Sequence, residues 1–355
     1  MNIHSNYAYL VSIYWICLLF ISCSNDGGND EVLDTDTYEL IQPEGFPEIK
    51  YTTQNNPITQ KGFELGRKLF FDPRLSADGS ISCNNCHQQS RGFADSPVHP
   101  MSIGINSQAG NRNAPPLFNM AFRKEFFWDG GVTHLDFVPI NALESDIEMG
   151  ETMKNVVEKL NRNDEYRQLF KEAFDVDSIT SPRILQAFSQ YMLLMISNDS
   201  KYDQYQRQEN NVTFTESEQK GMLLFDEKCS SCHSGSLFTD QSFRNNGISD
   251  TFSDNGRALI TESNSDIGKF RVPTLRNIEV TGPYMHNANF DTLEEVLQHY
   301  ANGVKNSETL DAMLKTENNQ LGIALTESEQ ADIIAFLKTL TDETFLTDPK
   351  FNNPI

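Results

Sequence analysis

The sequence predicts a mainly α-helical chain with long loops, built from two similar halves. Three observations carry that reading. A five-residue pattern occurs twice, as Cys83-Asn84-Asn85-Cys86-His87 and as Cys229-Ser230-Ser231-Cys232-His233. Each copy follows a helix-period segment and a short connection, the signature of a divergent internal duplication. Apolar–polar alternation of the β-strand kind is scarce along the chain.

Taken in order, residues 10–21 form an apolar run broken by Ser12, too short to span a bilayer comfortably. With Ser22-Cys23-Ser24-Asn25-Asp26 behind it, the run reads as a signal peptide over 1–22. Leu19-Phe20-Ile21-Ser22-Cys23 resembles a bacterial lipoprotein cleavage site, which would leave Cys23 as a lipidated first residue. It departs from that pattern at Phe20 and in a leading segment, 1–9, without Lys or Arg. The expectation is an exported protein, periplasmic or anchored to the outer membrane of a bacterium. Asp26, Asp30, Glu31, Asp34, Asp36 and Glu39 then predict an acidic, solvated tether over 23–56.

Pro43, Pro47 and Pro57 punctuate an extended lead-in. In residues 61–71, Phe63, Leu65, Leu69 and Phe70 fall near one side of a helix that Asp72-Pro73 stops. Residues 152–160 and 165–174 read as amphipathic helices, and Ser181-Pro182 opens a third over 183–196. The polar stretch 198–211 marks the boundary between a first domain, 57–205, and a second, 206–355. Thr215-Glu216-Ser217-Glu218 is a capping box opening a helix that runs towards Cys229, and Thr326-Glu327-Ser328-Glu329 opens another. The latter carries Ile333, Ile334, Phe336, Leu337 and Leu340 as a closing helix for the second domain.

C-x-x-C-H is the attachment sequence for a covalent c-type haem. Two thiols one helical turn apart add to the two vinyl groups of one haem, and the adjacent imidazole reaches the iron from one face. Half of a zinc site or a redox dithiol is the rival reading of a single copy. Two copies, each ending in His and followed by a long stretch of chain, point to two haems. Each half then looks like a cytochrome-c-type helical domain. Of six Cys, four belong to the motifs and the others, Cys17 and Cys23, are N-terminal, so the folded body has no pair left for a disulfide. A formal charge of −22 argues against nucleic acid and favours a basic or dipolar partner.

The chain resembles the bacterial di-haem cytochrome c peroxidases over roughly residues 62–340. Arg112-Asn113-Ala114-Pro115, Phe127-Trp128-Asp129-Gly130, Pro273-Thr274-Leu275-Arg276-Asn277, Pro283-Tyr284-Met285-His286 and Leu293-Glu294-Glu295 stand in that family's order. The family also contains the di-haem enzyme that matures the tryptophan-derived cofactor of methylamine dehydrogenase. The resemblance implies a peroxidatic N-terminal haem on Cys83, Cys86 and His87, and a C-terminal haem on Cys229, Cys232 and His233 that receives electrons. It implies hydrogen peroxide as substrate, reduced to water, and a small cytochrome c or copper protein as electron donor.

Glu148 falls at the family's acid–base position over the first haem, where moving a proton between peroxide oxygens calls for a carboxylate. Glu144, Asp146 and Glu151 nearby keep open the reading that it is one of many surface acids. Trp128 takes the position between the haems, where an indole relays an electron; as a residue it also reads as a core aromatic beside Phe126 and Phe127. Asn113, Thr281 and Pro283 match the residues that hold a calcium ion between the domains, oxygen donors of the kind a hard cation takes. Arg276 is a candidate partner for haem propionates, with a helix-end salt bridge as the alternative. Members of the family often form dimers.

Three positions depart from the family pattern. Where many members carry a displaceable His blocking the first iron, this chain has Ile105, which cannot ligate; His99 is the nearest substitute. The expectation is a first haem that is open when fully oxidised. The second haem's distal ligand, Met in most peroxidases, falls here on Tyr300, as in the maturation enzyme; His299, Met313 and Met285 are rivals. A phenolate favours ferric iron and lowers the potential. Val138 replaces a glutamine usually found ten residues after the Trp, weakening hydrogen bonding above the first haem. A peroxidase is the leading expectation; an oxidase of a protein or organic substrate and a non-enzymatic di-haem electron carrier are the alternatives.

Overall fold

A computed structural model of the chain describes residues 37–95, 101–315, 318 and 320–354. In each half, one long helix precedes the C-x-x-C-H motif and crosses a later helix at a glycine. Helix α1 (Gln60–Phe71) leads to the first motif, and α7 (Glu216–Lys228) leads to the second. Between them lie α2 (Val138–Glu144), α3 (Met153–Asn161), α4 (Asp164–Phe174), α5 (Ser181–Leu193) and α6 (Lys201–Gln206). Then follow α8 (Ala258–Thr261), α9 (Leu293–Gln298), α10 (Glu327–Lys338) and α11 (Glu343–Thr347). A two-residue antiparallel ladder, β1 (Phe243–Arg244) with β2 (Phe270–Arg271), is the one sheet among the described residues.

The start signals read in the sequence are the ones that cap the helices. Thr215 and Thr326 each accept from the backbone N–H three residues on, while Glu218 and Glu329 reach back to the cap nitrogen. Helix α5 begins at Ser181, two residues before the sequence-based start, with Pro182 in its first turn. There the missing proline N–H leaves no intrahelical bond unmade.

The two helix pairs are counterparts. On α1, a Cβ at Gly66 would overlap the carbonyl of Ala187 on α5; on α7, a Cβ at Gly221 would overlap the carbonyl of Asp332 on α10. Glycine lets each backbone pair approach this closely, and the flanking aromatic residues then fill two separate cores. Phe63, Phe70, Phe93, Phe118, Phe188 and Tyr191 are buried in the first. Phe225, Phe238, Ile333, Phe336 and Leu340 are buried in the second.

Two segments depart from the division drawn in the sequence. The second part of the acidic tether is docked: Phe46 is buried in the first core, and the Tyr38 N–H donates to the Ile58 carbonyl at 2.9 Å. Glu39 remains exposed, as expected of the tether. At the other end, the tail beyond α10 crosses back from the second half. Phe345, Leu346 and Phe351 lie in the first core. The Tyr191 hydroxyl donates to the Phe351 carbonyl at 2.9 Å, and Arg67 donates to the Lys350 carbonyl at 2.8 Å. The polar boundary stretch is ordered as well, because Ser200 and Asp203 form a capping box that starts α6. The leader, with Cys17 and Cys23, and the loop residue His99 lie outside the described residues.

Candidate functional site

At the first motif, Cys83–Asn85 makes a single 3-10 turn, fixed by Ser82, whose N–H and hydroxyl both donate to Asn85 Oδ1 at 2.9 Å. The turn aims the imidazole of His87 inward. Its Nδ1 lies 2.7 Å from the carbonyl oxygen of Phe93. A carbonyl only accepts, so Nδ1 carries the proton and Nε2 keeps a lone pair for a metal. Phe93 adopts a left-handed φ of 57° to turn that carbonyl back, and the turn is held from outside. The Gln89 amide donates to the carbonyls of Phe345 and Asp348, at 3.2 and 2.8 Å, in the C-terminal tail.

Burial pushes the Cys83 thiol up to about 12 and the Cys86 thiol up to about 11. The charge of Glu148 adds to both shifts, so that carboxylate is within electrostatic reach of the motif. Burial raises Glu148 itself above the usual carboxylate range. Its main chain is tied to the loop that carries Ile105, whose N–H donates to the Glu148 carbonyl at 2.8 Å. Ile105 is buried and offers no donor atom. Val138 is buried in the first turn of α2.

The second motif repeats the geometry. His233 Nδ1 lies 3.1 Å from the carbonyl of Phe238, which also has a left-handed φ, 52°. In front of this motif opens a largely apolar cavity of about 280 Å³. Cys229, Cys232, His233, Trp128, Tyr300 and Met313 are among its walls. Tyr300 sits in a π-helical turn, His299–Gly303, that follows α9; such a wide turn re-aims one side chain and is found mostly at functional positions. Burial pushes the Tyr300 phenol up to about 12, against a lowering by the Asn246 side-chain hydrogen bond, with both cysteines of the motif close enough to contribute. His299 turns the other way: its Nε2 lies 3.1 Å from the Asn246 carbonyl, and it lines a separate surface cleft. The sulfur of Met285 is held by the Asn246 amide at 3.1 Å.

Trp128 joins the two halves. Its indole N–H donates to the Asn113 carbonyl at 2.8 Å, and its own carbonyl accepts from the Arg271 N–H at 2.7 Å. Asn113 in turn reaches the carbonyls of Pro283 and Met285, at 2.5 and 3.2 Å. Thr281 lies on the same cavity wall as Asn113 and Pro283. Arg276, by contrast, is held within the protein. It is 1% exposed, both its Nη atoms engage Asp203 at 2.7 and 2.8 Å, and its Nε donates to the Ser236 carbonyl at 2.6 Å. This is the salt bridge of the alternative reading, and all three guanidinium nitrogens take part in it or in the Ser236 bond.

These residues suit a covalent haem better than the rival sites. No cluster of three or more His, Cys, Asp or Glu side chains that could hold a metal ion occurs among the described residues. Desolvated thiols with raised pKa values are poor dithiol catalysts but are placed for thioether bonds. The apolar cavity beside Cys229 and Cys232 is also lined by Arg271, whose Nε is a buried donor without a partner. Sequence reasoning missed Asn246, Arg271 and the two Phe carbonyls. Only the carbonyls left a trace, a Phe six residues after one motif His and five after the other.

Comparison with known proteins agrees with this geometry. The family model for di-haem cytochrome c peroxidase matches residues 60–211, and that for cytochrome c matches 218–341. The chain is 34% identical to cytochrome c551 peroxidase of Nitrosomonas europaea, over 89% of this chain and 87% of that protein. It is 31% identical to methylamine utilization protein MauG of Methylophilus methylotrophus, over 81% of this chain and 84% of that protein. Among solved structures, a MauG-like protein associated with microbial copper homeostasis superposes with a TM-score of 0.81 at 32% identity, covering 89% of this chain and 99% of that one.

Proposed function

The chain belongs to the di-haem cytochrome c peroxidase family, and on that premise we propose that it reduces hydrogen peroxide to water, with the first motif as the peroxide site. The observation that carries the reading is Glu148, half-buried, within electrostatic reach of both cysteines of that motif and joined through its main chain to an Ile105 that offers no ligand. The two c-type haems supply, when bound, the iron chemistry of peroxide reduction and the store of electrons for it. Glu148 accepts a proton from one peroxide oxygen and returns it to the departing one. His87 is oriented by Phe93 and His233 by Phe238, each as the neutral tautomer. Two electrons and two protons complete the conversion of one peroxide to two waters.

The electrons come from a cytochrome or a small copper protein, entering on the side of the second motif. Trp128 relays charge between the halves, a role that fits an indole whose two polar groups are fixed by Asn113 and Arg271. Tyr300, which lines the same cavity as His233, would be the second residue to hold that haem. Asn113, Thr281 and Pro283 hold a calcium ion; with the amide of Asn113 flipped, its Oδ1 and the Pro283 carbonyl become two adjacent hard oxygens. The protein is exported, tethered through a lipidated Cys23, and works as a dimer in or facing the periplasm.

The deciding experiment mixes fully oxidised holoprotein with peroxide and then with reduced cytochrome c in a stopped-flow instrument. Prompt spectral change at one haem and prompt donor oxidation are expected. Absence of both, even after pre-reduction, overturns the peroxidase and leaves an electron carrier. Tyr300 favours a second reading, oxidation of a protein or organic substrate; fast peroxide reaction with slow donor oxidation would select it.

A further inference from the structure

Arg271 presents an unanswered charge. It is 7% exposed, lies in β2 and lines the cavity of the second motif together with Cys229, Cys232 and His233. Its Nη1 makes one long bond, 3.3 Å, to the Glu125 carbonyl, and its Nε has no partner. Close by, Arg123 has only a 3.5 Å contact from Nη2 to the Phe118 carbonyl. Neither guanidinium forms an ion pair among the described residues.

The nearest acids are already committed. Glu125 pairs with Arg257 at 2.7 Å, and Asp129 pairs with Arg112 at 2.5 Å. Burial draws Arg271 down to about 10, and burial together with the charge of Arg271 draws Arg123 down as well. Glu125 and Asp129 act on Arg271 only at a distance, and a guanidinium without an ion pair of its own is unfavourable in a protein interior. The arginines nearest in sequence and on the cavity wall do not share this state. Arg276 is saturated by Asp203, and Arg244, also on the cavity wall, is paired with Asp240 and Asp311 at 2.8 and 3.0 Å.

We propose that Arg271, with Arg123 beside it, is the anion cradle that holds the propionate carboxylates of the haem attached at Cys229 and Cys232. The inference rests on the di-haem reading above and names the chain's own contribution to seating that group. A guanidinium presents its N–H donors in a plane that matches a carboxylate edge, and that of Arg271 has no ion pair to give up before it can do so. The cavity wall is otherwise mostly apolar, as suits the body of a tetrapyrrole. Because the Arg271 N–H also donates to the Trp128 carbonyl at 2.7 Å, the carboxylates come to lie beside the main chain of the relay residue. Positive charge there raises the potential of the second haem, opposing the lowering by Tyr300.

The test uses the holoprotein and two readouts other than turnover: the midpoint potential of each haem, and the propionate bending band in resonance Raman. Haem content of the wild type is measured first; fewer than two covalent haems would overturn the di-haem reading itself, separately from this proposal. In R271Q the second haem's potential is expected to fall and its propionate band to move, with R271K restoring most of both. R123Q is expected to shift the same haem in the same direction, and it keeps the test open where R271Q does not accumulate. Unchanged potential and band in both neutral variants would overturn the proposal. So would a shift confined to the haem of His87.

Discussion

The main-chain N–H of Ile105 donates to the carbonyl oxygen of Glu148 at 2.8 Å. That one bond ties the loop where relatives carry a blocking ligand to the carboxylate nominated for proton transfer. A side chain of different chemistry at 105 would therefore act within reach of the same space. With isoleucine there, the fully oxidised protein is expected to show a high-spin ferric signal and to bind cyanide quickly at one haem. Ile105→His is expected to convert that signal to low spin and to abolish fast peroxide reaction until the protein is reduced. Electron paramagnetic resonance of the two oxidised proteins checks it; a wild type with only low-spin iron refutes it.

Glu148→Gln keeps size and polarity while removing the proton acceptor. A positioned acid–base group contributes roughly 10²–10⁴-fold, so the peroxide step should slow by that order with haem content unchanged. Burial raises this carboxyl, and only its ionised form accepts a proton. The wild-type rate should consequently fall on acidification at a higher pH than an exposed glutamate would give, and Glu148→Gln should lose that limb. A pH profile of the single-turnover rate distinguishes the two.

Tyr300→Met exchanges an anionic ligand for a neutral thioether. Burial keeps the free phenol protonated, up to about 12, so its phenolate depends on ferric iron and on the Asn246 hydrogen bond. Losing it should raise the second haem's potential, within the ~0.8 V range that axial ligands command. Spectroelectrochemistry reads this directly. An unchanged potential would turn attention to Met285 and Met313, which line the same cavity.

The sequence disclosed what is local and repeated. The two C-x-x-C-H turns and the capping boxes at Thr215 and Thr326 all follow from spacing or from residue chemistry read in register. Long-range packing was not legible. Phe345 and Phe351 carry no periodic mark, so nothing in the order of residues says that the tail returns to the first core. Arg276 and Arg271 are five residues apart in sequence and look alike as letters. Only the fold assigns Asp203 to one and no acid to the other. Asn246 escaped notice for the same reason, since its partners Met285, His299 and Tyr300 are 39 to 54 positions away.

Asp203 and Arg276 give a stability prediction with a definite sign. Asp203→Asn leaves a fully buried guanidinium without its counter-charge, which typically costs about 3–5 kcal/mol. Burial alone would raise the Asp203 carboxyl, but the hydrogen bonds and charge of Arg276 outweigh it and hold the group below the usual carboxylate range. A carboxylate depressed in the folded state contributes stability that is complete above its unfolded pKa of about 3.9. That contribution is lost as pH falls from there through the lower folded value. Denaturant titrations at neutral pH and below about pH 4 should show the gap between wild type and Asp203→Asn narrowing on acidification.

The C-terminal tail is expected to be part of the first haem site although it is remote in sequence. Phe345 is 4% exposed and its ring meets Phe93 and Phe118 at centroid distances of 5.8 Å. Its carbonyl, with that of Asp348, accepts the Gln89 amide that braces the turn between His87 and Phe93. Phe345→Ala removes a buried aromatic ring from a packed core, at a cost of about 3–5 kcal/mol. The loosened Phe93 carbonyl should also weaken the hold on His87 Nδ1. The spectroscopic change should then appear at the His87 haem and leave the His233 haem as it was, because the residues that orient His233 belong to the other core. Thermal unfolding measures the first effect and variable-temperature magnetic circular dichroism separates the second. Equal perturbation of both haems would mean that the tail acts on the fold as a whole rather than on this one turn.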